Sequence, residues 1–216
     1  PIDYVISPEL EIAKSLQRKL EAPGALDNVP FAENKLRLLE ILIEEKCPIH
    51  GIKLKDLTNK FPNLNAYILG VIRDESFKIL KKDDKLQHKD KAYAIVNSNQ
   101  MEETLKVFGH NEKIANKILI IGGGNIGFNL ASNIENNFEE ARVKIIEKDK
   151  TRAEFIANYL NDTIVINGNG LDEDVLNEAN LEEVETVLAL TNDDEDNLMV
   201  SVLVEKFSKN KRTMAL

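Results

Sequence analysis

The stretch Lys117-Ile118-Leu119-Ile120-Ile121-Gly122-Gly123-Gly124-Asn125-Ile126-Gly127 most constrains what this chain can become. Four consecutive branched apolar residues suit a strand buried on both faces of a parallel sheet. The run passes directly into glycines spaced G-x-G-x-x-G, with Gly122, Gly124 and Gly127 in the three slots. In a dinucleotide-binding turn the first glycine makes the tight turn and the second lets a pyrophosphate approach the backbone. The third lets the next helix pack against the strand. Asn125 and Ile126 then open that helix, whose free N–H groups and dipole face the phosphates.

A glycine fingerprint alone is weak, because glycine-rich turns also occur without a ligand. Its context here is strong: a strand before, a helix after, and a second apolar run, Val143–Ile146, ending in Glu147. That acid lies 23 residues beyond Gly124, close to the offset of about 20 expected of a carboxylate on a ribose 2′-hydroxyl. Glu147 favours NAD over NADP, since a carboxylate beside a 2′-phosphate would repel it.

The remaining alternation of apolar runs and helical segments predicts a doubly wound α/β domain. Its strands are expected at 117–121, 143–147, 163–166, 186–190 and 213–216, with helices at 125–133, 152–161, 172–180 and 195–207. Handedness and short connections give the strand order 3-2-1-4-5 and a crevice at the carboxyl ends of strands 1 and 4. Polar residues gather at those ends: Glu147, then Asn167, Gly168, Asn169 and Gly170, then Thr191, Asn192, Asp193, Asp194 and Glu195. The last group reads equally as a helix cap with acids in the first turn. Asn192 and Asp193 fall near the pyrophosphate and ribose of a bound nucleotide. Arg152 is placed either to balance charge on the adenosine side or to stand as a solvated helix arginine.

Before this domain the pattern differs. Ile2–Ile6 reads as a short strand, Ser7-Pro8 as a helix cap and first turn, and the helix runs to about Leu20. From Val29 to Gly109 short strands and turns predict a small α+β module, closed by a helix at 101–108. Its charged stretch, Lys78 to Lys91, mixes both signs and reads as solvated surface.

Charge and cysteine usage narrow the function classes. The net charge of −9 falls wholly on residues 114–216, with 19 acids against 10 bases. Nucleic-acid binding needs clustered Lys and Arg, so an acidic nucleotide-binding half argues against it. No apolar run approaches the roughly 18 residues of a membrane span. The single cysteine, Cys47, excludes an internal disulfide, suits a reducing cytoplasm and reads as a small half-buried hydrophobe. His50, His88 and His110 all precede the fingerprint, show no metal-ligand spacing and read as surface or loop residues. A dehydrogenase needs a proton-handling group beside the nicotinamide, and the sequence offers none there.

Taken together, Ile120–Gly127, Arg152-Ala153-Glu154, Val165–Gly168 and Ala189–Glu195 resemble the Trk potassium-uptake regulatory (TrkA) family. Phe31-Ala32-Glu33 and Ile72-Arg73-Asp74 do so in the middle module. The resemblance implies tandem units, each a Rossmann-type regulator of potassium conductance followed by a small C-terminal module. On that mapping residues 1–26 are the last strand and crossover helix of a preceding unit. Residues 27–112 are its small module, and 113–216 a Rossmann nucleotide-binding domain truncated at its C-terminal end. The family implies NAD(H), or ATP or ADP, bound and not consumed. It also implies a ring or dimer of copies, and a membrane potassium-translocating partner at the inner face of the plasma membrane. Asn169 departs from the pattern by standing where an aspartate is expected near the adenosine. The expected function is thus a non-enzymatic regulatory subunit, with an NAD-dependent oxidoreductase domain as the alternative. The second sheet lacks a sixth strand and helix, and residues 2–20 supply elements of that type, so they are expected to complete it, in their own chain or in a neighbouring copy.

Overall fold

The computed structural model describes residues 6–62, 64–207 and 211–216, and the strand expected at 2–6 lies largely outside them. The chain divides into two compact units. One runs from Arg18 to Ile114, and the other takes the described residues up to Gln17 together with Ala115–Leu216. The division falls within the first helix, α1 (Pro8–Glu21). The Ser7 carbonyl accepts the Glu11 N–H at 3.2 Å, which makes Ser7 the last residue before the helix. Its hydroxyl donates to the Glu9 carboxylate at 2.9 Å. The Glu9 carboxyl is held below the usual range by its own backbone N–H and by Ser7.

In the 18–114 unit the strands are β1 (Asp27–Phe31), β2 (Leu36–Leu42), β3 (Ala66–Arg73), β4 (Ser76–Lys78) and β5 (Lys91–Asn97). They form an antiparallel sheet in the order β1-β2-β5-β3-β4. The expected turn at Asp74-Glu75 is a two-residue hairpin with φ of 51° and 60°, the primed geometry whose twist matches the flanking strands. Helix α2 (Leu54–Lys60) falls between β2 and β3, and α3 (Met101–Val107) follows β5. Leu39, Ile41, Ile43, Ile49, Leu86 and Phe108 are fully buried in one core. Cys47 belongs to that core and is 6% exposed, more deeply buried than half, and burial pushes its thiol pKa up.

One expectation is corrected here. Asp90, read as part of a solvated charged stretch, has a side chain with no exposed surface. Arg73 grips it in a two-pronged pair, Nε to Oδ1 and Nη2 to Oδ2, both at 2.6 Å. The Gln87 N–H adds a third bond to Oδ2 at 2.8 Å. A buried carboxylate needs every one of these partners to offset its lost hydration. Residue type and spacing give no hint of this, because Asp90 is the only charged residue of the stretch that is buried.

The second sheet contains β6 (Lys117–Ile121), β7 (Arg142–Glu147), β8 (Ile164–Asn167), β9 (Thr186–Ala189) and β10 (Arg212–Ala215). All of its pairs are parallel, in the order β10-β9-β6-β7-β8. This is the doubly wound order expected from the sequence. The connecting helices are α4 (Asn125–Asn137), α5 (Lys150–Tyr159), α6 (Glu173–Glu178) and α7 (Asp194–Phe207). Alternation along β6 sends Leu119 and Ile121 to one face, where they pack with Ile146, Val187, Val200 and Val204. Ile118 and Ile120 turn to the other face and are equally buried. Both faces being covered explains why the strand reads as an unbroken apolar run. Among the described residues no helix is long and apolar enough to cross a membrane.

The Arg73–Asp90 pair sets a test of the smaller unit. Arg73→Ala leaves the Asp90 carboxylate buried with one amide partner and should cost about 3 kcal/mol in chemical denaturation. Arg73→Lys, which keeps the charge but loses the fork, should recover less than half of that. Wild-type stability in Arg73→Ala would show that the pair contributes nothing.

Candidate functional site

The carboxyl ends of β6, β7, β8 and β9 open into a cleft of about 440 Å3, within the range of small-ligand sites. Of the residues singled out from the sequence, nine line it: Gly122, Gly124, Glu147, Arg152, Gly168, Asn169, Thr191, Asn192 and Asp193. Asn125, Ile126, Gly127 and Asn167 do not, and the reasons differ.

Each fingerprint glycine answers a separate steric demand. Gly122 has φ of +107°, and a Cβ there would lie 2.6 Å from the Leu190 carbonyl oxygen. Its N–H donates to Ile146 O at 2.9 Å, so the turn is fixed between β7 and β9. Gly127 lies inside α4, where a Cβ would meet the Gly122 oxygen at 2.1 Å. That contact is the close helix–strand approach expected of the third glycine, and it explains why Gly127 lies behind the cleft. Gly124 is different: a Cβ there meets only Asn192 Oδ1, at 3.9 Å. Its missing side chain leaves space on the cleft side. The first intrahelical bond is Phe128 N–H to Gly124 O at 3.0 Å, so the amides of Asn125 and Ile126 precede the helical ladder.

Glu147 is fixed by backbone. Its Oε2 accepts the Gly123 N–H at 2.7 Å and its Oε1 the Asp149 N–H at 2.8 Å. The carboxylate therefore clamps the glycine turn while lining the cleft. Arg152 completes the clamp from the other side, with Nε donating to Gly123 O at 2.7 Å. Its guanidinium lies over the rings of Phe155 at 4.8 Å and Phe128 at 5.4 Å, a cation–π arrangement that holds its orientation. Of the two readings of Arg152, the freely solvated one is excluded.

Asn167 also serves the scaffold. Its side-chain amide donates to Glu147 O at 2.9 Å and Lys148 O at 3.2 Å, tying β8 to the turn after β7. Asn169, in place of the expected aspartate, accepts the Leu171 N–H at 3.0 Å and so shapes its own loop. Asp193 caps α7, accepting the Asp196 N–H on Oδ1 at 3.0 Å and the Asn197 N–H on its carbonyl at 3.0 Å. The capping reading of this acid thus holds, and the residue lines the cleft as well.

Sequence reasoning missed Lys148, Asp149 and Asp196, which line the cleft together with Gly170 of the second strand-end group. Lys148 directly follows Glu147, and the carboxyl-end rule extended by a few positions finds all three. His50, His88 and His110 belong to the other unit. Among the described residues no group of three or more His, Cys, Asp or Glu side chains is placed to hold a metal ion.

Fold and cleft define a Rossmann-type domain carrying a dinucleotide-type glycine turn, in one chain with a small antiparallel module. Residues 118–216 match the TrkA-N domain family, and residues 38–109 match the TrkA-C domain family. The chain belongs to the TrkA family. It is 37% identical over its full length to the Trk system potassium uptake protein TrkA of Azorhizobium caulinodans, of which it spans 47%. It is 32% identical to the protein of that name from Vibrio alginolyticus, over 98% of this chain and 45% of that protein. The chain spans about half the length of the curated relatives it matches. Among solved structures it resembles the GsuK RCK domain (TM-score 0.61, 18% identity, 99% of this chain, 44% of that one). It also resembles a GsuK channel bound to NAD (TM-score 0.61, 18% identity, 98% of this chain, 36% of that one). At such identity the likeness is one of fold.

The glycines separate folding from binding. Gly127→Ala drives a methyl into backbone and should cost about 2 kcal/mol or more, seen as a lower Tm. Gly124→Ala should cost less than about 1 kcal/mol while placing its methyl in the cleft, so any ligand of that turn loses affinity at nearly unchanged Tm. A large fall in Tm for Gly124→Ala would contradict this assignment.

Proposed function

We propose that this chain is a regulatory segment of a potassium-uptake system. It binds NAD(H), or ATP or ADP, in the cleft at the ends of β6 and β9 and signals by occupancy. The observation that carries the reading is the cleft itself. Gly124 opens it, the amides of Asn125 and Ile126 directly after Gly124 precede the helical ladder, and Glu147 and Arg152 are locked beside it. The relatives' name, Trk system potassium uptake protein, and the NAD bound to a GsuK channel of like fold support the system and the ligand class.

In this reading Gly122, Gly124, Asn125, Ile126 and Gly127 form the pyrophosphate turn, and Glu147 receives the ribose hydroxyls. Arg152, Gly168 and Asn169 border the adenosine, with Asn167 behind them. Thr191, Asn192 and Asp193 close the opposite wall. Residues 27–112 act as a small companion module, and 1–26 belong to a preceding Rossmann unit. Copies assemble as a dimer or ring at the inner face of the plasma membrane, held there by a potassium-translocating partner. Nucleotide exchange alters the assembly and so gates the partner.

An oxidoreductase domain is the competing reading. A hydride transfer needs a group that handles the substrate proton. Among the described residues the cleft carries no His, Tyr or Cys, and its acids Glu147, Asp149 and Asp193 are engaged with backbone N–H groups, which favours the regulatory reading.

Calorimetric titration of the chain with NADH, NAD, NADPH, ATP, ADP and S-adenosylmethionine tests both. NADH should bind in the micromolar range, and NADPH at least about tenfold more weakly because Glu147 faces its 2′-phosphate. NADH absorbance should stay constant with any acceptor. Tight S-adenosylmethionine binding, or steady oxidation of NADH, would overturn the proposal.

A further inference from the structure

Asn197 is a polar residue on the buried face of α7, in line with Val200 and Val204, and it is 1% exposed. Its side chain makes four hydrogen bonds. Oδ1 accepts the Thr191 N–H at 2.9 Å and the Thr191 hydroxyl at 2.8 Å. Nδ2 donates to Thr191 O at 3.2 Å and to Leu216 O at 3.2 Å. An asparagine offers two acceptor sites and two N–H donors, so all of its capacity is used. Three of the four bonds fall on one residue of the cleft wall, and the fourth reaches the chain just past β10. The Thr191 hydroxyl, its proton shared between Asn197 Oδ1 and Asp193 O (3.0 Å), accepts the Asp193 N–H at 3.2 Å. Asn197 thereby sets Thr191 and, through it, Asp193, both of which line the cleft. No other standard side chain of this length supplies this pattern. Leucine would leave four backbone and hydroxyl groups unpaired, and aspartate would set a charge against two carbonyls.

We propose that Asn197 is the positioning residue of the cleft and couples nucleotide occupancy at Thr191 to the exit of β10. Resting on the nucleotide reading above, the inference adds to it a residue outside the cleft and a direction of transmission. Among the described residues β10 is the edge strand of its sheet, joined to β9 through Ala215↔Ala189 and, just beyond, the Leu216 N–H to Ala189 O at 3.2 Å. A ligand that draws Thr191 inward moves Asn197, and Asn197 pulls on Leu216. The edge strand is then tightened or released with the state of the cleft.

The test compares the wild-type chain with Asn197→Asp and with Val204→Ala, using NADH as the probe. Val204 is fully buried on the same helix face and does not line the cleft, so it controls for loss of stability alone. NADH affinity is read by calorimetry, and amide hydrogen exchange by NMR at Thr191 and at 213–216. In the wild type, NADH should slow exchange at both places. Asn197→Asp should weaken NADH binding about tenfold or more, in line with the loss of two buried donors, and abolish the ligand-dependent change at 213–216. Val204→Ala should lower Tm by a comparable amount and leave affinity and coupled protection intact. Wild-type affinity in Asn197→Asp, or equal weakening by Val204→Ala, would overturn the positioning role while leaving nucleotide binding standing. A wild-type chain that binds none of NADH, NAD, ATP and ADP would overturn both.

Discussion

Everything at the candidate site depends on how closely the first turn of α4 approaches the end of β6. The Gly122 oxygen occupies the space a side chain at Gly127 would need, and the Leu190 carbonyl occupies the space a side chain at Gly122 would need. Two successive exclusions thus bring strand β6, strand β9 and helix α4 to within backbone contact of one another. Only that proximity lets the start of α4 look into the cleft rather than stand above it. Glu147 and Arg152 then fix the one part of the turn left mobile by glycine, gripping the Gly123 N–H and the Gly123 carbonyl from opposite sides. A turn rich in glycine carries a high entropic cost of ordering, and these two charge-assisted bonds offset part of it.

The doubly wound sheet was legible because its information is local. An unbroken apolar run reports burial on both faces, and glycine spacing reports the turn. The strand order follows from handedness once the elements are placed. Glu147 was legible for a similar reason, since the end of β7 must face the carboxyl edge whatever the side chains do. The antiparallel module was readable only in outline. Its strands announce themselves, but pairing β5 between β2 and β3 rests on long-range contacts that periodicity does not encode.

What stayed hidden are side chains whose role depends on a partner distant in sequence. Asp90 and Arg73 are 17 residues apart, each ordinary in its own neighbourhood, and only the sheet register makes them a buried pair. Asn167 looks like a ligand residue because it stands at a strand end, yet its amide is spent on the neighbouring turn. Asn197 did carry a signal. It is a polar residue at the first position of an otherwise apolar stripe, and such a position is either an error of register or a buried residue with full partners.

The acidity of this half and the proposed binding of an anionic nucleotide are compatible on electrostatic grounds. Net charge acts through solvent, where it is screened within about 8–10 Å at physiological salt. A phosphate seated at a helix start is governed instead by amides and fixed cations at contact distance. At that range the carboxylates do not act as free anions: Glu147 accepts two backbone N–H groups and Asp193 caps α7. Each is already stabilised by backbone N–H donors, while Arg152 is held in place by Gly123, Phe128 and Phe155 before any ligand arrives. The acids are therefore the means by which the backbone is held open, and the sign of the whole domain says little about the sign of what it holds.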